Sequence, residues 1–186
     1  MGLDIHIKTN DFHLWEYLGT QQGLDSNEKF QIEQMFRLSR VFCVLMSQHG
    51  FIHPVFYHLG ELTQVDLSPI AHMVAYVSEE ELDEYVTFAY ETESEQLRAR
   101  EEAAQSREKL KGNLETVLKT ISQLSEKLPE LDNWTKNILE PDSWIDKAYL
   151  ENCSPHYNLD QDLKNLKHAL EFLKSLGKDT VWFSFG

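Results

Sequence analysis

Cysteine is scarce in this sequence. Its 186 residues include only Cys43 and Cys153. They lie far apart with no CxxC pattern, so the chain carries no disulfide framework of the dense kind that staples small secreted domains. Cys43 sits in the apolar run VFCVLM and reads as a small buried hydrophobe. Long apolar runs are missing too. None reaches the roughly 18 residues that a membrane span needs. The N-terminus has neither the basic region nor the apolar stretch of a signal peptide, so a cytoplasmic location is expected.

Positive charge is in short supply. Lys and Arg number 17 against 31 Asp and Glu, a net charge of -14. Affinity for nucleic acid rests on Lys and Arg neutralising phosphates, which argues against a nucleic-acid partner. The same charge argues against an anionic membrane surface as partner. A basic protein partner, a cation, or plain solubility remains. Motifs of common chemistries are absent as well. There is no GxGxxG, GxxxxGK[ST] or HExxH, and no GxSxG nucleophile elbow.

What is present is ordinary globular composition, with 41% hydrophobic and 26% charged residues. The length suits one domain over 1–186. Acid is unevenly spread. The first 75 residues hold 8 acidic and 4 basic side chains, and the rest hold 23 and 13. Between Ser78 and Gln96 stand Glu79, Glu80, Glu81, Asp83, Glu84, Glu91, Glu93 and Glu95, with no Lys or Arg. A solvated helix face is the plain account of this run. A docking surface centred on Glu79, Glu80, Glu81, Asp83 and Glu84 is the functional one.

Periodicity gives the elements. Leu3, Ile5 and Ile7 alternate with Asp4, His6 and Lys8, the pattern of a strand with one buried face. In the DFHLWEYL stretch, Asp11 is placed to cap a short helix stopping at Gly19. Asp25 with Glu28 makes a capping-box-like start, and the helix is predicted to run to about His49 with Gly50 as its stop. From Met35 onward it is apolar nearly all round, so it reads as the central core helix. Arg37 and Arg40 are its exceptions and call for a carboxylate partner or an exposed position. Residues 51–67 break the helical pattern and read as strand or loop, with His53 extended before Pro54. Ser68 with Pro69, and Ser78 with Glu81, mark further helix starts.

Two leucine seams follow. Leu110, Leu114, Val117, Ile121, Leu124 and Leu128 are spaced four and three apart, as in a coiled coil. Leu159, Leu163, Leu166, Leu170 and Leu173 repeat the spacing, between Asn158 and Gly177. The simplest pairing is an antiparallel helical hairpin within one chain, a long helix at about 79–128 against one at about 159–176, which could protrude. A self-dimer through either seam is the alternative. Residues 130–158 read as irregular. The terminal VWFSF is β-branched and aromatic, which suits a strand. A lone strand leaves its backbone unsatisfied, so the two chain ends are expected to pair. The fold class that results is α+β and predominantly helical. A small antiparallel sheet of the N- and C-terminal strands packs on a helical bundle containing the hairpin.

The ends carry a resemblance. The start Gly2, Leu3, Asp4 with its short strand, together with YNLDQDLKNLKHALEFL and the terminal WFSF, resembles a loose group of small uncharacterised bacterial and bacteriophage proteins. The likeness implies a compact α+β protein of mobile-element origin and implies no chemistry.

Two constellations could carry chemistry. Asp4 and His6, two apart on a strand, project to one face. Such a couple can orient an imidazole for general-base work, or Asp4 can pair with Arg37 or Arg40. His49, His53 and His58 form the other group, and a divalent metal would need three such ligands to converge. Two functions follow. The favoured one is a non-catalytic acidic protein-interaction module that needs no cofactor. The alternative is a small hydrolase-like enzyme using Asp4 and His6 with one His of the 49–58 group, metal-assisted or not, and Arg40 as its anion-binding group.

Overall fold

The computed structural model describes residues 4–47, 52–75, 79–131, 135, 145, 147–151 and 157–186. Its first strand β1 (Ile5–Thr9) pairs antiparallel with the last, β2 (Val181–Phe185), with Ile5 opposite Phe185 and Thr9 opposite Val181. The chain ends therefore close on each other, as their patterning requires. Asp4 and Gly186 exchange both backbone hydrogen bonds, at 2.9 and 3.0 Å. Ile5, Ile7, Val181 and Phe183 are buried on the inner face. On the outer face Trp182 is also buried, while Asp4 and His6 stand exposed at the other end.

Between the strands the described elements are helical, so the fold is α+β and predominantly helical. They are α1 (Leu14–Thr20), α2 (Ser26–Met35), α3 (Arg40–Met46), α4 (Pro54–Thr63), α5 (Ser68–His72), α6 (Glu79–Ala89), α7 (Glu93–Leu110), α8 (Leu114–Lys127), α9 (Lys147–Leu150) and α10 (Leu159–Ser175). The seams of α8 and α10 meet. Leu114, Val117, Ile121 and Leu124 are buried with Leu159, Leu163, Leu166, Leu170 and Leu173 in one core. The start of α8 lies by the end of α10, where Leu114 N–H donates to the Asp179 carbonyl at 2.9 Å and Lys174 pairs with Glu115 at 2.5 Å. The pair is antiparallel, and its apolar seams are consumed within the chain. The inner faces of the sheet, α3 and α4 complete the same core, with the Phe42 and Phe183 rings edge-on at 6.1 Å.

Several sequence expectations are corrected. The helix expected over residues 25–49 is two, because α2 ends at Met35 and α3 starts at Arg40. The capping box that opens α2 is as read, with Asp25 accepting from Asn27 and Glu28 N–H and Glu28 accepting from Asp25 N–H. The helix expected over 79–128 is three, with breaks at residues 90–92 and 111–113. Residues 51–67 contain a helix, α4, whose buried Val55, Phe56, Leu59 and Thr63 follow helical spacing behind a proline at the first turn. Asp11 does not cap α1; it sits at φ 51 in the turn after β1, and His13 is the N-cap. The Ser78 start lies outside the described residues, as does most of 130–158.

The breaks between α2 and α3 and between α7 and α8 are held by the far end of the chain. Between α2 and α3, Asp162 of α10 accepts from the Ser39 backbone N–H at 2.8 Å and from its hydroxyl at 2.5 Å. Ser39 Oγ in turn caps α3 by accepting from Phe42 N–H at 3.1 Å. Asn165 Nδ2 donates to the Arg37 carbonyl at 2.8 Å. Asp162 also accepts from the Tyr149 hydroxyl of α9 at 2.7 Å, and is only 3% exposed. Burial pushes its carboxyl up from the ordinary value, against the lowering pull of the Ser39 and Tyr149 donors. The Tyr149 hydroxyl is pushed well above its usual range by burial and by the Asp162 charge, so it stays a neutral donor.

Between α7 and α8, Gly112 takes φ 69, and its N–H donates to Thr180 Oγ1 at 3.0 Å. Asn113 then acts as a strand partner for Val181. Its Nδ2 donates to the Val181 carbonyl at 2.9 Å, and its Oδ1 accepts from Val181 N–H at 2.8 Å.

Asp162→Ala leaves buried donors on Ser39 and Tyr149 unpaired and is expected to cost about 3 kcal/mol in a urea titration. Asp162→Asn keeps one acceptor and should cost less. The folded state binds the Asp162 proton more tightly than the unfolded chain. Its contribution to stability therefore falls as pH rises from the ordinary carboxylate value through the raised one. The margin of the wild type over Asp162→Asn should be widest in acid and narrow toward neutral pH. Asn113→Ala is expected to cost about 1–2 kcal/mol by removing both bonds to Val181.

Candidate functional site

Asp4 and His6 flank Ile5 on β1 and face outward, as their spacing requires. His6 is opposite Ser184, and its imidazole lies beside Gly186. Arg40, the first residue of α3, is exposed. Asp4 and Arg40 both lie within electrostatic reach of the Cys43 thiol on α3. Among the described residues, however, the ion pairs run elsewhere, and neither Asp4 nor Arg40 takes part in one. Arg37 pairs with Glu33 of its own helix.

Cys43 itself is 1% exposed. Burial pushes its thiol up from the ordinary value; the Asp4 carboxylate raises it further and the Arg40 guanidinium pulls the other way. The result is a protonated, enclosed thiol, the opposite of what a nucleophile needs.

The histidine group does not converge among the described residues. His53 is the N-cap of α4, with Nδ1 accepting from Val55 N–H at 3.2 Å. His58 lies a turn and a half further along the helix, and its Nδ1 is 3.1 Å from Glu61. A five-residue separation on a helix turns the two imidazoles well apart. His49 lies outside the described residues. Among the described residues no three His, Cys, Asp or Glu side chains are grouped to hold a metal ion.

The acidic run is carried by α6 and α7. Leu82 and Val86 of α6 pack on Ala99 and Ala103 of α7, with Tyr90 against them, in a small core separate from the main one. The alanines let the two helices approach closely. Thr92 opens α7 with a capping box, accepting from Glu95 N–H while Glu95 accepts from the Thr92 backbone. This T-x-x-E signature was available in the sequence and marks the break after α6. Asp83, Glu84, Glu91, Glu93, Glu95, Glu101 and Glu102 are all exposed on this hairpin. The side chains of Glu79, Glu80 and Glu81 lie outside the described set. Exposed apolar groups accompany the acids, namely Phe88 at 92%, Leu97 at 60% and Tyr85 at 45%. Charge alone pointed to this segment; the aromatic exposure is visible only in three dimensions.

No described helix is long and apolar enough to cross a membrane.

With Cys153 replaced by serine to leave one thiol, Cys43 is expected to react with iodoacetamide about a hundredfold more slowly in the folded protein than in urea. Comparable rates would place the thiol at a reactive, accessible position.

No protein-family model matches the chain, and no curated protein and no solved structure is significantly similar to it.

Proposed function

We propose that this chain is a non-catalytic, acidic protein-interaction module that acts in the cytoplasm and binds a basic protein partner. The observation that carries the reading is the α6–α7 hairpin. It has its own small apolar core and displays an excess of carboxylates around exposed aromatic side chains. Such a surface attracts cationic partners over a Debye length and repels nucleic acid and anionic lipid. The outward, solvent-facing setting of Asp4 and His6 and the enclosed Cys43 thiol add weight, since neither offers an activated group at an enclosed site. A mobile-element origin is part of this reading and rests on the resemblance of the chain ends alone. The reading needs no resident cofactor.

Crosslinking of the tagged chain in the cells that make it, followed by reconstitution with the purified partner, tests this reading. A basic partner should emerge, with affinity falling about tenfold or more as salt rises from low to several times physiological strength. A salt-insensitive complex, or no complex at all, overturns it. Added zinc or manganese should leave the melting temperature where it is. An upward shift would instead reveal a metal-binding state.

A further inference from the structure

Charge is not distributed evenly around α6. On one flank Asp83 is neutralised by Arg100 of α7. The other flank holds Glu84, Tyr85 and Phe88. Tyr85 and Phe88 are three residues apart and Glu84 and Phe88 four, so Phe88 neighbours both on the helix surface. The Tyr85 ring stands edge-on to Tyr90 at 6.2 Å. The Glu102 carboxylate of α7 is within electrostatic reach of the Tyr85 hydroxyl. Glu84 takes part in none of the ion pairs among the described residues. Phe88 buries almost none of its ring, so folding gains little from having an aromatic there.

Resting on the reading of the chain as an acidic module, we propose that this flank of α6 is the docking surface and that its occupant is an arginine-rich segment of another protein. A guanidinium meets both features of the surface at once. It stacks on an exposed aromatic face and pairs with an adjacent carboxylate. A purely apolar partner would desolvate Glu84, which unlike the Arg98-paired Glu102 has no ion-pair partner among the described residues, without compensation. A second copy of this chain would bring like charges together.

The test measures fluorescence anisotropy of a labelled arginine-rich amphipathic peptide with the full chain at low salt, beside the same peptide with glutamine in place of arginine. The arginine peptide should bind and the glutamine peptide should not. Phe88→Ala and Glu84→Gln should each weaken binding about fivefold, the scale of one exposed cation–π or charge contact, with melting temperatures unchanged. Equal binding of the arginine peptide to wild type and both variants overturns the assignment of the surface and leaves the module reading standing with its contact elsewhere. Absence of binding to the wild type, or equal binding of the two peptides, overturns the choice of occupant. The module reading itself falls on a separate result, the failure of crosslinking to return any partner.

Discussion

One buried carboxylate organises the packing of the helices. Asp162 lies in the first turn of α10 and accepts its hydrogen bonds from the N-cap of α3 and from a phenol of α9. It thus sits at the N-terminal ends of two helices, where partial positive charge favours an anion. Burying a carboxylate is expensive without such donors. Here the donors exist only if α3, α9 and α10 are all in place, so the carboxylate selects one arrangement of the three. Desolvation still outweighs the donors, and the carboxyl stays above its ordinary value. The site is a structural pin held at some cost, and its oxygens are spent on protein donors.

The same principle recurs at the start of α8. The backbone freed by the break at Gly112 and Asn113 is satisfied by Thr180 and Val181, just before and within the last strand. Lys178 similarly donates to the Asn10 and Asp11 carbonyls at the end of the first strand. The C-terminal segment is therefore a clasp. It supplies a strand to the N-terminus, a seam to α8, and side-chain partners to both interrupted helical stretches. Polar groups exposed by a helix break must find partners when buried, and at these two breaks the last third of the chain provides them.

Against that closed framework the α6–α7 hairpin is the exception. Its core is a handful of small and medium side chains, and its surface is acidic and aromatic. Main-core residues are committed to packing, and Asp4, His6 and Cys43 occupy positions that sheet pairing and burial explain. Trp15, Phe30 and Tyr57 are exposed elsewhere, but on the hairpin exposed aromatics stand among an excess of carboxylates, which is why the functional reading rests there.

The sequence by itself determined the two terminal strands and their pairing: alternation marks the first, β-branched and aromatic content marks the last, and a lone strand leaves its backbone unsatisfied. It determined the α8 and α10 seams, because leucines every three and four residues form an apolar stripe along a helix that must be covered. It determined the Asp25 cap, whose signals are local, and placed the start of α10 at or just before Asn158, which the structure makes its N-cap. Only the tertiary structure decided where the long helical stretches break. Ser39 and Gly112 interrupt runs whose apolar spacing continues unbroken across them, and the partners that make those breaks affordable lie 123 and 68 residues away. The helical state of residues 54–63 was equally hidden, since Pro54 reads as a breaker until His53 is seen capping behind it. The exposure of Phe88 was hidden too. An aromatic in a helix is ordinarily core, and nothing local says that the packing face of α6 runs through Leu82 and Val86 instead.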